Sequence, residues 1–165
     1  MGYGYGASVT AIQMASIISA IANDGVRVTP HVIKYSDEEA EKKIKKVQVM
    51  SKENANALTE ILMNSINNGK SPLKMDKYNV AAKTGTSRKP KENGAGYTNK
   101  LYTSTIGYLP ATDPEVMIYV IVDSASGGEV WGSTIAAPIF KEIATQVAHI
   151  LNLTPDKNEV KGKKN

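Results

Sequence analysis

Cysteine is absent from this chain of 165 residues, and histidine is scarce. Without cysteine the chain can form no disulfide, no thiolate metal site and no cysteine nucleophile. The two histidines, His31 and His149, stand far apart and lack the spacing of a metal-ligand pair. His149 also falls on a predicted apolar helix, where a packed or half-exposed side chain is the ordinary state. The sequence therefore predicts neither a metal centre nor a bound cofactor.

Long hydrophobic runs are missing as well. The longest apolar stretch, residues 11–22, is interrupted by Gln13, Ser16 and Ser19 and is too short to cross a bilayer. No basic region followed by an apolar run opens the chain, so no signal peptide is visible. We therefore expect any membrane anchor of the protein to lie outside these residues.

Charge of one sign is not concentrated in any segment. Twenty Lys and Arg against sixteen Asp and Glu give a net charge of +4, but the basic residues are scattered. The segment 37–46, DEEAEKKIKK, mixes acids and lysines in equal number. Aromatic residues make up only 6% of the chain, so no stripe of base-stacking side chains accompanies the charge. We expect no nucleic-acid binding.

Three helices are predicted from caps and apolar spacing. Thr10 and the glutamine three residues later form a capping box before an apolar run, which residues 23–25 end. A second helix is expected after a Ser51 cap and ends at residues 68–69. The last helix has Pro138 in its first turn, followed by apolar residues at helical spacing.

Strands are predicted between the second and third helices. The segment after the first helix, up to Tyr35, also reads as short and extended. Two of the later strands are expected at residues 78–82 and 101–108, with a basic loop at residues 88–100 between them. The last strand is expected at residues 116–122. We expect the loop to be mobile. The last strand, VMIYVIV, is apolar on both faces, which is typical of a central strand covered on both sides.

The order of these elements predicts an α+β fold with an antiparallel sheet packed between helices. Residues 1–152 are expected to form the folded part of the chain. Residues 153–165 read as a polar basic tail, which we expect to be disordered.

A Lys-Thr-Gly-Thr sequence follows the first of these strands. Lys83 supplies a compact positive charge, and the hydroxyls of Thr84 and Thr86 can donate to a carboxylate. Gly85 has no side chain, so another peptide can lie along the strand and pair with it. The backbone N–H of Thr86 can face a developing oxyanion. The residues predict an acyl-positioning, anion-binding edge; the alternative is an ordinary strand end with a solvated lysine.

Four blocks of the chain together resemble the class B, monofunctional penicillin-binding proteins. They occur in the family's order: the glycine loop and first helix, KTGT, YTSTIGYLP with its following Asp-Pro, and AAPIFKEIA, at residues 2–25, 83–86, 102–114 and 136–144. KTG is one of three motifs of the serine penicillin-recognising enzymes, beside Ser-x-x-Lys and a Ser-x-Asn type. The resemblance implies an incomplete penicillin-binding, transpeptidase (serine β-lactamase-like) fold.

The resemblance also implies a role for each residue of the tetrapeptide. Lys83 would lie between the substrate carboxylate and the proton network of the other two motifs. Thr84 and Thr86 would bind the carboxylate, and the Thr86 N–H would be half of the oxyanion hole. Gly85 would let the acyl donor lie antiparallel to the strand. The implied reaction is attack of a serine on a D-Ala–D-Ala bond, followed by transfer of the acyl group to an amine.

The nucleophile is not expected in this chain. Ser71-Pro-Leu-Lys spells Ser-x-x-Lys, and Ser65-Ile-Asn spells Ser-x-Asn. Their order is inverted relative to the family, however, and they lie a few residues apart at one helix end and loop. Pro72 is also a poor residue just after a catalytic serine at a helix start. We therefore expect the isolated chain to be inactive and to need the N-terminal part of its own domain.

Partners and location follow only from the resemblance. It implies peptidoglycan stem peptides and β-lactams as ligands, and a SEDS-type glycosyltransferase as a membrane partner. It places the whole protein at the extracytoplasmic face of a bacterial membrane. Three alternatives remain: a serine β-lactamase-like hydrolase, a non-catalytic module that holds peptides, and a structural fragment that associates through an open sheet edge.

The basic residues Arg88 and Lys89 form a second point of interest. They read as part of a solvated loop rather than a phosphate site. In the family this loop lies beside the active-site groove, so a hypothesis is that the two residues influence which peptide is accepted.

Overall fold

The computed structural model describes residues 8–157. The glycine loop at residues 2–6 and the end of the predicted tail, 158–165, lie outside the described residues. The chain divides into two compact units, Met1–Leu58 and Thr59–Asn165, whose boundary falls within a helix. In the described part of the chain, no helix combines the length and apolar character that crossing a bilayer requires.

Helix α1 opens the first unit and spans Ala11–Ala22. The Gln13 N–H donates to Thr10 Oγ1 at 3.3 Å, and the Thr10 N–H donates to Gln13 Oε1 at 2.8 Å. The predicted capping box is thus confirmed. The chain leaves the helix through Asp24 and Gly25, whose φ angles of 52° and 83° lie in the left-handed region.

The rest of the first unit contains two elements that the sequence did not predict. Strand β1, Val26–Val28, pairs antiparallel with β2, Lys46–Gln48, and helix α2, Asp37–Lys43, lies between them in the chain. The predicted extended segment ends as a strand at Val28, shortly before Pro30, which has no N–H for pairing. Ser36 caps α2 through its own capping box, a signal present in the sequence within the mixed-charge segment.

The second unit contains the larger sheet. Helix α3 begins in the first unit and ends in the second, and Ser51 caps it by accepting from the Asn54 N–H at 3.2 Å, as predicted. The elements of this part are α3 at Lys52–Asn67, β3 at Ala81–Pro90, β4 at Tyr97–Leu109, β5 at Val116–Asp123, a π-helical turn at Gly132–Ala136 and α4 at Ala137–Ile150.

Strand order corrects one prediction. The sheet is antiparallel with the order β3-β4-β5, so β5 is an edge strand of the described sheet and β4 is the central one. Ile118 and Val120 of β5 are buried in the core, whereas Ile121 is exposed. Among the described residues the prediction of a covered central strand is not met, because two consecutive hairpins place β4 between β3 and β5.

The connection between β3 and β4 is shorter than predicted. Strand β3 continues to Pro90 and β4 begins at Tyr97, so only residues 91–96 remain as loop. The pairing shifts register between Arg88 and Pro90. Such an irregularity accommodates proline on an edge strand.

The core of the second unit lies between one face of the sheet and α4. Val80, Leu109 and Phe140 are almost completely inaccessible to solvent within it. The α+β class with an antiparallel sheet and packed helices is therefore confirmed.

Residues 153–157 differ from the disordered tail that was predicted to begin at residue 153. Leu153 is buried in the apolar cluster. Asp156 Oδ1 accepts from the Asn79 N–H at 2.6 Å, and its Oδ2 accepts from Thr112 Oγ1 at 2.9 Å. The ordered part extends to at least residue 157, because these residues find partners that composition does not reveal.

Candidate functional site

The KTGT tetrapeptide occupies the third to sixth residues of β3. Its only strand partner in the described sheet is β4, so the opposite backbone edge of residues 83–86 is not paired with a strand there. The sequence placed the tetrapeptide where a strand ends; the structure places it inside a strand of ten residues. An unpaired edge is what an added peptide strand requires.

Pairing across β3 and β4 assigns the four side chains to two faces. Lys83 and Gly85 lie opposite Ile106 and Ser104. Thr84 and Thr86 lie opposite Thr105 and Thr103 on the other face. Directly opposed residues in an antiparallel pair share a face, and the face alternates along each strand. The ammonium of the lysine and the threonine hydroxyls therefore leave the strand in different directions.

Lys83 is exposed, and its ammonium is not neutralised by a carboxylate of the described residues. Its Nζ donates to the backbone carbonyl of Thr84 at 3.0 Å. An ammonium carries three N–H groups, so two remain for other acceptors. The side chain is thus a cation available to an incoming anion.

Thr86 is held by the π-helical turn. The Gly132 N–H donates to Thr86 Oγ1 at 2.9 Å. A hydroxyl has one donor and two acceptor positions, so this contact leaves the Thr86 O–H proton free to donate elsewhere. The hydroxyl can therefore bind a carboxylate while the turn holds its oxygen in place.

Close backbone packing requires glycine beside this contact. A Cβ at Gly132 would lie 2.5 Å from the carbonyl oxygen of Gly85 and 2.8 Å from that of Ser104. A Cβ at Gly85 would lie 2.8 Å from Ser104 Oγ. A side chain at position 132 would meet main-chain atoms, which cannot move as a side chain does. Gly132 thus allows the turn to approach the tetrapeptide, and sequence reasoning did not identify it.

Two threonines that support the tetrapeptide carry unused hydroxyls. Thr103 and Thr105 of β4 are fully buried, and their Oγ1 atoms make no hydrogen bond within residues 8–157. A buried hydroxyl without a partner lowers stability relative to an apolar group of the same shape.

An ion pair ties the far end of β3 to β5. Lys89 Nζ lies 2.7 and 2.8 Å from the two carboxylate oxygens of Asp123, and 5.0 Å from the ring centre of Tyr102 on β4. Ser124 Oγ donates to Asp123 Oδ1 at 2.6 Å. The hydrogen bonds from Lys89 and then Ser124 hold the pKa of Asp123 below its ordinary value of 3.8. Lys89 is thus a strand residue with a partner, not a solvated loop charge.

The two serines with motif-like spacing serve local backbone structure. Ser71 Oγ accepts from the Leu73 N–H at 3.2 Å, and Ser65 Oγ donates to the Leu62 carbonyl at 2.7 Å. Lys74, the lysine of the first pattern, donates its Nζ to the Asn67 carbonyl at 3.2 Å. The lysine and hydroxyl of that pattern therefore face different backbone partners.

The histidines and a groove beside α4 lie away from the tetrapeptide. His31 Nδ1 is 3.1 Å from the Thr29 carbonyl, and His149 is exposed near the end of α4. Within the described range, no three His, Cys, Asp or Glu side chains cluster as metal ligands would. A groove of about 380 Å³ lies between Met75–Tyr78 and α4, and the tetrapeptide does not line it.

Known proteins resemble this chain over nearly its whole length. Residues 1–145 match the family described as the penicillin binding protein transpeptidase domain. The chain is 34% identical to stage V sporulation protein D of Bacillus subtilis over 98% of its own length and 26% of that protein. It is 29% identical to the peptidoglycan D,D-transpeptidase FtsI of Buchnera aphidicola, with 94% and 27% covered.

A solved structure agrees with these relatives. The apo transpeptidase domain of penicillin-binding protein 3 from Burkholderia pseudomallei superposes with a TM-score of 0.80 at 28% identity, covering 96% of this chain and 47% of that one. The chain spans about a quarter of the length of the curated relatives it matches.

Proposed function

Because this chain belongs to the penicillin-binding protein transpeptidase family, we propose that it supplies the KTG side of a peptidoglycan D,D-transpeptidase site. The observation that carries the proposal is the tetrapeptide on an edge of β3 with no strand partner among the described residues, with an available ammonium and an available hydroxyl proton. Such an edge can receive a peptide strand and hold its carboxylate.

Each residue has a defined task in the proposed reaction. Lys83, on the opposite face of β3 from the threonine hydroxyls, stabilises negative charge in the proton network of the nucleophile, and its positive charge contributes to attracting the carboxylate of the acyl donor. Thr84 and Thr86 donate hydroxyl hydrogen bonds to that carboxylate. The Thr86 N–H stabilises the oxyanion, and Gly85 leaves the strand open to the donor backbone. A β-lactam would occupy the same positions.

The nucleophilic serine belongs, in this proposal, to residues outside the chain. Support comes from the local tasks of Ser71 and Ser65, whose hydroxyls bind nearby backbone groups. Attack by a serine forms the acyl-enzyme and releases D-Ala, and an amine of a neighbouring stem peptide then resolves it. The chain alone is therefore expected to be inactive.

The surroundings of the whole protein belong to the same proposal. A D,D-transpeptidase of this kind acts on stem peptides outside the cytoplasm, anchored in the bacterial membrane. A SEDS-type glycosyltransferase is the proposed partner there, since cross-linking requires newly made glycan strands.

Labelling with a fluorescent penicillin tests the proposal. The purified chain, shown by circular dichroism to be folded, is expected to form no covalent adduct on denaturing electrophoresis and by intact mass. An adduct that disappears in Ser71→Ala would instead show a complete enzyme and contradict the placement of the nucleophile.

The full-length protein that carries this chain is the positive control for labelling. It is expected to label, and Lys83→Ala should lower the acylation rate by about 100-fold or more, the order expected for losing a charged group that stabilises the transition state. Lys91→Ala, a nearby exposed lysine, is the matched control and should label normally. Equal labelling of wild type and Lys83→Ala would refute the proposed role of the tetrapeptide.

A further inference from the structure

The segment between β5 and the π-helical turn, residues 124–131, is anchored to β3 at both of its ends. At the first end, Lys89 of β3 binds both carboxylate oxygens of Asp123, and the adjacent Ser124 N–H donates to the Leu101 carbonyl of the central strand β4 at 2.9 Å. At the second end, the Gly132 N–H donates to Thr86. The two anchor points on β3 are only three residues apart.

The first anchor has features of a specific contact rather than of a chance surface pair. The Lys89 side chain is 24% exposed, and it packs over the Tyr102 ring while meeting both oxygens of its partner. Ser124 adopts a φ of 56°, a left-handed conformation that is uncommon outside glycine, and turns its hydroxyl onto the same carboxylate. Three strands thus meet in one polar cluster.

The second anchor sets the direction of the Thr86 hydroxyl. Because the Gly132 N–H occupies an acceptor position of Thr86 Oγ1, the O–H proton has to point away from the turn. Displacement of Gly132 would free the hydroxyl to rotate. The 124–131 segment therefore links the ion pair of Asp123 to the orientation of a carboxylate-binding group.

We propose that Lys89, through Asp123, is a positioning residue that holds the 124–131 segment so that Gly132 keeps Thr86 oriented toward the acyl donor. This proposal rests on the proposed function for its consequence in catalysis, but the positioning itself is a property of the chain. The hypothesis from the sequence was that Lys89, as a loop charge, directly influences which peptide is accepted. In the present proposal Lys89 instead acts indirectly, through the strand pairing and the turn.

Amide hydrogen exchange of the chain tests the positioning, with residue-resolved NMR detection. In Lys89→Met, the Gly132 amide should exchange about fivefold faster relative to core amides of α4 such as that of Ala144, the upper range for a well-placed exposed ion pair. Lys91→Met, which removes an equally charged exposed lysine, should leave the ratio unchanged. Exchanging the charges in Lys89→Asp with Asp123→Lys should restore most of the protection.

Two results would overturn the proposal. One is an unchanged Gly132 exchange ratio in Lys89→Met. The other is an equal acceleration of the Gly132 and Ala144 amides, because this would show a loss of general stability and no specific positioning. Asp123→Asn provides a milder second variant if Lys89→Met does not fold, and the same ratio decides it.

Catalytic consequence is measured separately in the full-length protein. The second-order rate of acylation by penicillin should fall about fivefold in Lys89→Met and recover in the charge-exchanged double variant. A wild-type protein that does not label would refute the proposed function, while the exchange ratio at Gly132 would still decide the positioning. An altered ratio with an unaltered acylation rate would overturn the link to Thr86.

Discussion

The two units of the chain differ in how they use apolar residues. In the second unit, one cluster joins the sheet, the end of α3 and α4, and several of its side chains are completely buried. In the first unit, Ala20 is the only buried residue of α1, both strands have three residues, and many apolar side chains such as Val47 and Val49 are exposed. Stability in the second unit therefore rests on packing, whereas the first unit depends more on caps and turns.

Truncating a core side chain of the second unit should show the largest difference in stability between the two units. Phe140 is 0% exposed, and Phe140→Ala is expected to lower the free energy of unfolding by about 3–5 kcal/mol through lost burial and a cavity. Ile12 of α1 is 59% exposed, so Ile12→Ala should change the free energy of unfolding by about 0.5 kcal/mol or less. Urea unfolding followed by circular dichroism measures the free energy of unfolding of both variants. Comparable losses of stability in the two variants would contradict the difference between the two units.

Backbone proximity gives the next largest effect. A Cβ at Gly107 of β4 would meet the Ala82 side chain and lie 2.5 Å from the carbonyl oxygen of Ala81, which forces β3 and β4 apart. Gly107→Ala is expected to cost about 1–3 kcal/mol of unfolding free energy. Gly128→Ala has open space around its Cβ and serves as the control. A neutral Gly107→Ala would show that the sheet adjusts without cost.

Threonine hydroxyls should have opposite effects in the two units. Thr105→Val removes a buried hydroxyl without a partner in the described structure and should stabilise the chain by about 1 kcal/mol. Thr10→Val removes the α1 cap and should destabilise the chain by about 1 kcal/mol. Thermal unfolding of the two variants provides the measurement. Destabilisation by Thr105→Val would indicate that its hydroxyl has a partner.

The smallest expected effect concerns Asp123. Its pKa is depressed below 3.8, so the ion pair contributes to stability above that pH, and the contribution is lost as the pH falls through the folded-state pKa. In Lys89→Met the pKa of Asp123 should rise toward 3.8, because the largest cause of the depression is removed. Carbon NMR titration of the carboxyl group measures it. An unchanged pKa would show that Lys89 does not cause the depression.

Local patterns predicted much of the fold. The caps of α1 and α3, the proline in the first turn of α4 and three consecutive strands were all visible in the sequence, since each depends on residues within one turn or one strand. Helix α2 was also visible through its Ser36 capping box but was interpreted only as a mixed-charge segment. The KTGT residues were identified, and their proposed roles remain predictions that labelling will test.

What the sequence by itself determined is the chemistry of the tetrapeptide and the ends of α1, α3 and α4, because propensity, capping and side-chain type act over short distances. Tertiary structure alone decided which strand is central, and it brought Lys89 to Asp123 across 34 residues and Gly132 to Thr86 across 46. The physical reason is that such contacts depend on strand register and on the close approach of two backbones. Those are set by how all the elements pack together.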